Sequence, residues 1–103
     1  MLVIREVMYC KPGKVRALVD KFKGMSKLTQ KAGMGKMRIL TDVAAEQYWT
    51  LIAEMEVPNL AAFEKMFEPQ AMNAADQKEF DDLMKGYHDL VDHGRREIYK
   101  IES

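Results

Sequence analysis

The sequence predicts an α+β fold in which two β-α-β units interleave, in the order strand, helix, strand, strand, helices, strand. Three observations carry this. An opening run of β-branched and aromatic residues passes straight into a long stretch of helical periodicity. A hairpin of alternating residues spans Lys36 to Val57, and a second helical region leads into a closing strand. Domain boundaries follow from length. With 103 residues and no linker, repeat or low-complexity run, residues 1–103 are expected to form one domain.

The first strand is Leu2 to Tyr9, and Lys11-Pro12-Gly13 stops it. Proline tolerates a first helical turn, where its missing N–H would be unpaired anyway, so Pro12 is expected to open the helix with Gly13 as a cap. Val15, Leu18, Val19, Phe22, Met25 and Leu28 then recur at three- and four-residue steps, with lysines, Arg16 and Asp20 on the other face. Gly33 is the expected stop, a left-handed residue without a Cβ penalty. Gly24, inside the helix, costs about 1 kcal/mol relative to alanine, so either something packs closely there or, the preferred reading, the position is unoptimised.

The hairpin reads as Lys36 to Thr41, a loop near Asp42 to Glu46, and Gln47 to Val57. Spacing of two puts Trp49, Leu51, Ala53, Met55 and Val57 on one side, and Tyr48, Thr50, Ile52, Glu54 and Glu56 on the other. The earlier strand splits into Met37 and Ile39 against Lys36, Arg38 and Leu40. By this parity Trp49 is a core anchor under the helices. The second side mixes aromatic, aliphatic and charged residues, which suits neither plain solvent nor a plain core.

Pro58-Asn59 ends the hairpin, and Asn59 is placed to cap a short helix, Leu60 to Phe67. Glu68-Pro69-Gln70 interrupts the helical region. A further helix starts near Asn73, with Asp76 in a loose capping-box position and a buried stripe of Phe80, Leu83, Met84, Tyr87 and Val91. His93-Gly94 is expected to close it, and Arg95 to Ile101 to form the last strand.

Sixteen basic residues balance sixteen acidic ones, and the pI of about 6.7 gives no footprint for a phosphate backbone or an anionic bilayer, so nucleic acid is not an expected partner. No apolar run approaches the roughly 20 residues of a spanning helix, so no membrane is expected either. The single cysteine, Cys10, cannot form an internal disulfide, and Met1 to Tyr9 lacks the features of a signal peptide. These features predict a cytoplasmic protein.

This element order is the split βαβ, ferredoxin-like arrangement, an antiparallel sheet with both helical segments on one face. The other face, with Leu40, Tyr48 and Ile52, is too apolar for water, so a homodimer formed by apposing two such faces is expected. The chain resembles the dimeric α+β barrel superfamily, in its NIPSNAP-like and antibiotic-biosynthesis-monooxygenase-like branches. The resemblance rests on the strand running into Lys11-Pro12-Gly13-Lys14-Val15, on the hairpin with Tyr48-Trp49, and on Val57-Pro58-Asn59-Leu60 leading to Ala62-Phe63.

The resemblance implies a small-molecule pocket between sheet and helices, or within a barrel made by two sheets. The lining would be Arg38, Leu40, Tyr48, Thr50, Ile52 and Glu54. Either Arg5 or Glu6 would join them from the first strand, Glu6 being the working choice, with either Arg96 and Ile98 or Arg95, Glu97 and Tyr99 from the last. A cofactor-independent oxygenation of an aromatic or quinol substrate would need a base, Glu54 or Glu6 raised by partial burial, and a stacking ring, Trp49 or Tyr48. The bland alternative is that these charges pair and fill the barrel.

Haem degradation, known in the same superfamily, does not match: His88 lies on the flank of its helical stripe, and the first strand has no asparagine. His88, Asp89, Asp92 and His93 do not supply a zinc ligand set, so no metal and no cofactor is expected. Cys10 reads as a small buried hydrophobe. Nine methionines suit irregular cavities. Met25, Met66 and Met84 fall on helix stripes as core filler, and Met8 with Met55 would be of more interest if their strands adjoin.

Overall fold

In the computed structural model, which describes residues 1–69 and 71–103, the sheet is built around β1 (Leu2–Cys10). It pairs antiparallel on one side with β3 (Thr50–Val57) and on the other with β4 (Val91–Lys100). β2 (Met37–Thr41) adds to the far edge of β3, which gives the strand order β2-β3-β1-β4. This is the ferredoxin-like α+β fold. Three helices complete it: α1 (Val15–Lys31), α2 (Leu60–Lys65) and α3 (Ala74–Met84).

The register assigns every strand residue to a face. Val3, Arg5, Val7 and Tyr9 stand opposite Glu56, Glu54, Ile52 and Thr50 on β3, and opposite Tyr99, Glu97, Arg95 and His93 on β4. Leu2, Ile4, Glu6 and Met8 share the helix side with Val57, Met55, Ala53 and Leu51, and with Gly94, Arg96 and Ile98. On β2, Arg38 and Leu40 join the first set, and Met37 and Ile39 the second.

α1 buries the expected stripe, Leu18, Val19, Phe22 and Leu28, together with Ser26 and Thr29. It starts at Val15 rather than Pro12. Gly13 has φ of +78°, so Lys11 to Lys14 close a turn through the Lys14 N–H and the Lys11 carbonyl, 3.0 Å, before the helix begins. It ends as expected, with Gly33 left-handed at φ of +76°. Gly24 is a packing position rather than an unoptimised one, because a Cβ there would lie 2.7 Å from Leu83 Cδ2 of α3.

β3 begins later than the alternation suggests. Asp42 clamps the hairpin end, accepting the Thr50 N–H at 2.8 Å and donating its own N–H to the Thr50 carbonyl at 3.3 Å, so Val43 to Tyr48 project beyond the sheet while the Trp49 carbonyl still accepts the Cys10 N–H of β1 at 2.8 Å. Trp49 sits at φ of +60° and is 43% exposed, and Tyr48 is 85% exposed. Trp49 is therefore not the core anchor that parity implies; the alternation does not continue past the clamp.

Asn59 and Asn73 cap α2 and α3, accepting the N–H of Ala62 and of Asp76, each at 2.8 Å. α2 stops at Lys65, short of Phe67, and of the Glu68-Pro69-Gln70 interruption Gln70 lies outside the described residues. Asp76 is buried, and its carboxylate takes Lys31 Nζ of α1 at 3.0 Å. α3 ends at Met84 because Lys85 is extended and Gly86 left-handed; Lys21 Nζ donates to the Leu83 and Lys85 carbonyls, 2.8 Å each. Tyr87 thus belongs to a 3-10 turn, and Val91 to Gly94 to β4 rather than to a helix.

Most of the buried apolar residues form two clusters on the helix side, while Val7 and Tyr9 are buried on the opposite face. One gathers Met8, Cys10, Leu18, Val19, Phe22, Leu51 and Ala53 beneath α1. The other gathers Ile4, Met55, Val57 and Phe63 beneath α2. α3 packs chiefly on α1. The space it spans separates the clusters.

Candidate functional site

That space is a half-enclosed cavity of about 910 Å³, within the range of roughly 300–1,000 Å³ typical of small-molecule sites. Its floor is the helix side of the sheet, and its roof is α2 and α3 with Met66, Phe67, Pro69 and Met72 between them. Eight of the nine methionines line it, all except Met1: Met8, Met25, Met34, Met37, Met55, Met66, Met72 and Met84. Met37 and Met55 stand directly opposite on β2 and β3. Phe22, Phe63, Phe67 and Phe80 add aromatic surface. Unbranched thioethers change rotamer cheaply and are polarizable, so such a wall adapts to apolar shapes and favours ring edges.

Few polar groups interrupt this wall. Tyr87 donates its hydroxyl to Met8 Sδ at 3.7 Å, and burial, with the nearby Glu6 charge, pushes its phenol above the usual value. Arg96 Nε donates to Glu6 Oε1 from the neighbouring strand. The Arg96 guanidinium lies over two aromatic rings, 5.0 Å from the Phe63 centroid and 5.5 Å from that of Phe67.

The opposite face of the sheet carries a line of alternating charge across all four strands. Arg38 Nη2 of β2 reaches Glu54 Oε1 of β3 at 2.5 Å, and Arg5 of β1 donates from Nε to Glu54 Oε2 at 3.0 Å. Arg5 also approaches Glu97 of β4 at 3.8 Å, and Glu97 accepts from Arg95 Nε at 2.7 Å. Arg95 then reaches the Tyr9 hydroxyl. Beside this line Leu40, Ile52 and Val7 form an apolar row. Hydrogen bonding from Arg38 holds the Glu54 carboxyl below its ordinary value; burial opposes this, and Arg5 reinforces it. Glu97 is lowered for the same kind of reason, chiefly by Arg95.

A comparison with known protein families gives no match, and neither does one with curated proteins. Solved structures do match. A protein of Agrobacterium tumefaciens superposes with a TM-score of 0.76 at 13% identity, over 97% of this chain and 92% of its own. An uncharacterized NIPSNAP-like domain protein from Burkholderia xenovorans gives 0.74 at 12% identity, over 99% and 85%. An antibiotic biosynthesis monooxygenase gives 0.70 at 12% identity, over the whole of both chains. The fold is that of NIPSNAP-like and antibiotic-biosynthesis-monooxygenase-like proteins. At such identities the likeness extends to the fold and no further.

On this NIPSNAP-like scaffold the residues expected to line one pocket fall into three places. Arg38, Glu54 and Ile52 share the open sheet face, where the register puts Arg5, not Glu6, beside them, with Arg95, Glu97 and Tyr99 rather than Arg96 and Ile98. Glu6 lies on the helix side and lines the cavity. Tyr48 stands on the exposed loop, and Thr50 is buried in the hairpin clamp, its hydroxyl donating to the Gln47 carbonyl at 2.9 Å. Glu54 does not have the raised pKa expected of a base, because two guanidiniums outweigh its burial. The methionine wall is what sequence reasoning undervalued. Met8, Met37 and Met55 sit at even spacing from the apolar strand residues, which already implied a common side.

Proposed function

We propose that this protein is a binding module for a small apolar organic molecule, held in the cavity between the sheet and the α2–α3 region. The observation that carries this is the wall of eight methionines and four phenylalanines around about 910 Å³. A space of that size, walled by flexible side chains and interrupted by few polar groups, gains from any apolar guest that displaces water. Residues 1–103 would act as one domain, and the lone buried thiol of Cys10 suits a reducing, cytoplasmic setting.

The test is a titration with Nile red, a neutral apolar fluorophore. Saturable enhancement at one dye per chain is expected, with at least tenfold weaker binding in Met66→Trp, which fills the cavity, at unchanged far-UV circular dichroism. Absence of saturable binding would overturn the reading.

The second element of the proposal is a homodimer through the open sheet faces. Leu40 and Tyr99 are exposed there beside Ile52, and each charged group of the line has a partner within its own chain, three arginines sharing two glutamates, so apposition buries apolar surface without leaving a charge of that line unpartnered. Sedimentation velocity should give twice the mass of 11.9 kDa. A monomer at tens of micromolar would refute this element and leave the cavity reading intact.

One observation favours a cofactor-independent oxygenase acting on an aromatic or quinol substrate: Glu6 stands on the cavity wall, where a base is required. Its pairing with Arg96 weighs on the side of binding alone. Oxygen uptake with a quinol, abolished in Glu6→Gln, would establish the enzyme; no uptake above the buffer rate leaves the binding module.

A further inference from the structure

We infer that the cavity selects carboxylate-headed apolar molecules and that Arg96 is the residue that reads the head group. The inference rests on the binding reading above and adds the chemistry of the guest. Arg96 is fixed from two directions. Its Nε is committed to Glu6, and the plane of its guanidinium is flanked by Phe63 and Phe67 at 5.0 and 5.5 Å. Among the described residues no hydrogen bond engages its two terminal nitrogens. That leaves four N–H donors, in the fork geometry that matches a planar carboxylate, on the wall of an otherwise apolar space.

The other charged groups on that wall do not compete for this role. Arg95 is tied to Glu97 and Tyr9. Glu6 spends its charge on Arg96, and Glu68 is solvent-exposed, where an ion pair is worth little. Because the fork is held before the guest arrives, ordering it costs little on binding. The Arg96 side chain is 48% exposed, which sets the fork at the edge of the cavity, where a head group can reach it while the apolar body lies inside. A guest with an apolar body and a terminal carboxylate therefore matches both parts of the site at once: methionines for the body, Arg96 for the head.

The test compares dodecanoate, dodecanol and dodecylamine as competitors of Nile red at neutral pH, below their micelle concentrations. Dodecanoate is expected to bind at least about tenfold more tightly than dodecanol, as a charge-assisted hydrogen-bonded pair predicts. Arg96→Gln should bring the two to parity, read as the ratio of dodecanoate to dodecanol affinity within the variant, at unchanged far-UV circular dichroism. Arg96→Lys should keep only part of the preference, because an ammonium holds the charge without the fork. Glu6→Gln, which removes the rival anion, should leave the preference equal or larger. Equal binding of acid and alcohol by the wild type, or tightest binding of the amine, would overturn the inference with the cavity reading intact. Failure of Nile red itself to bind would sink both.

Discussion

Glu54 stands directly across from Arg5 in the β1–β3 register and accepts its Nε–H at 3.0 Å, while Arg38 on the far side takes the other carboxylate oxygen at 2.5 Å. One buried carboxylate therefore bridges three strands. Removing it leaves two guanidiniums facing each other across β3.

That bridge makes stability depend on pH in a definite direction. The folded-state pKa of Glu54 lies below its ordinary 4.5, so the bridge contributes fully above that value and is lost as pH falls through the lowered one. Glu54→Gln should cost about 2 kcal/mol at pH 7, as for a hydrogen bond to a charged group. The difference from wild type should shrink below pH 4. Urea unfolding followed from pH 7 to 3 reads this directly; a constant difference would contradict the assignment.

Two glycine-to-alanine changes should have opposite fates. At Gly94 of β4 an added Cβ would lie 2.5 Å from the Val7 carbonyl oxygen, a backbone atom that cannot turn aside. Gly94→Ala should lose about 1–3 kcal/mol. At Gly24 the obstacle is the end of the Leu83 side chain, which can change rotamer, and alanine gains about 1 kcal/mol of helix propensity there. Gly24→Ala should be close to neutral by thermal melting.

Trp49 gives a third test. A buried tryptophan anchor costs about 3–5 kcal/mol when truncated. Here the residue is 43% exposed and left-handed at φ of +60°, a conformation that costs an L-residue about 1–2 kcal/mol and glycine almost nothing. Trp49→Gly should therefore change stability by less than about 1 kcal/mol in urea unfolding.

Loss of the α3 cap should be felt locally and globally. Asn73→Ala removes the acceptor for the Asp76 N–H, at about 1 kcal/mol, which corresponds to a fall in Tm of roughly 4–8 °C for a domain near this size. Nile red dissociation should quicken in the same variant, since α3 forms part of the roof.

The order of elements along the chain, the α1 stripe and the caps at Asn59 and Asn73 could be read from the sequence because each rests on local chemistry: periodicity, or an amide beside unpaired N–H groups. The errors lie where tertiary hydrogen bonds override pattern. The Asp42–Thr50 clamp cut the alternation of β3 immediately after Trp49, and Gly86 ended a helix whose stripe runs on through Tyr87. Choosing between Arg5 and Glu6 required the register, which no single strand contains. The cavity required knowing that α3 rests on α1, a relation between elements nearly fifty residues apart.

α3 leans on a helix rather than on the sheet, so the strand-to-strand hydrogen bonds do not run through it, and its own ladder and cap are internal to the segment. The ties that hold it come from α1: Lys31 on Asp76, and Lys21 on the Leu83 and Lys85 carbonyls. Weakening those ties should therefore loosen the roof and lower stability together, as for Asn73, while the sheet keeps its own hydrogen bonds.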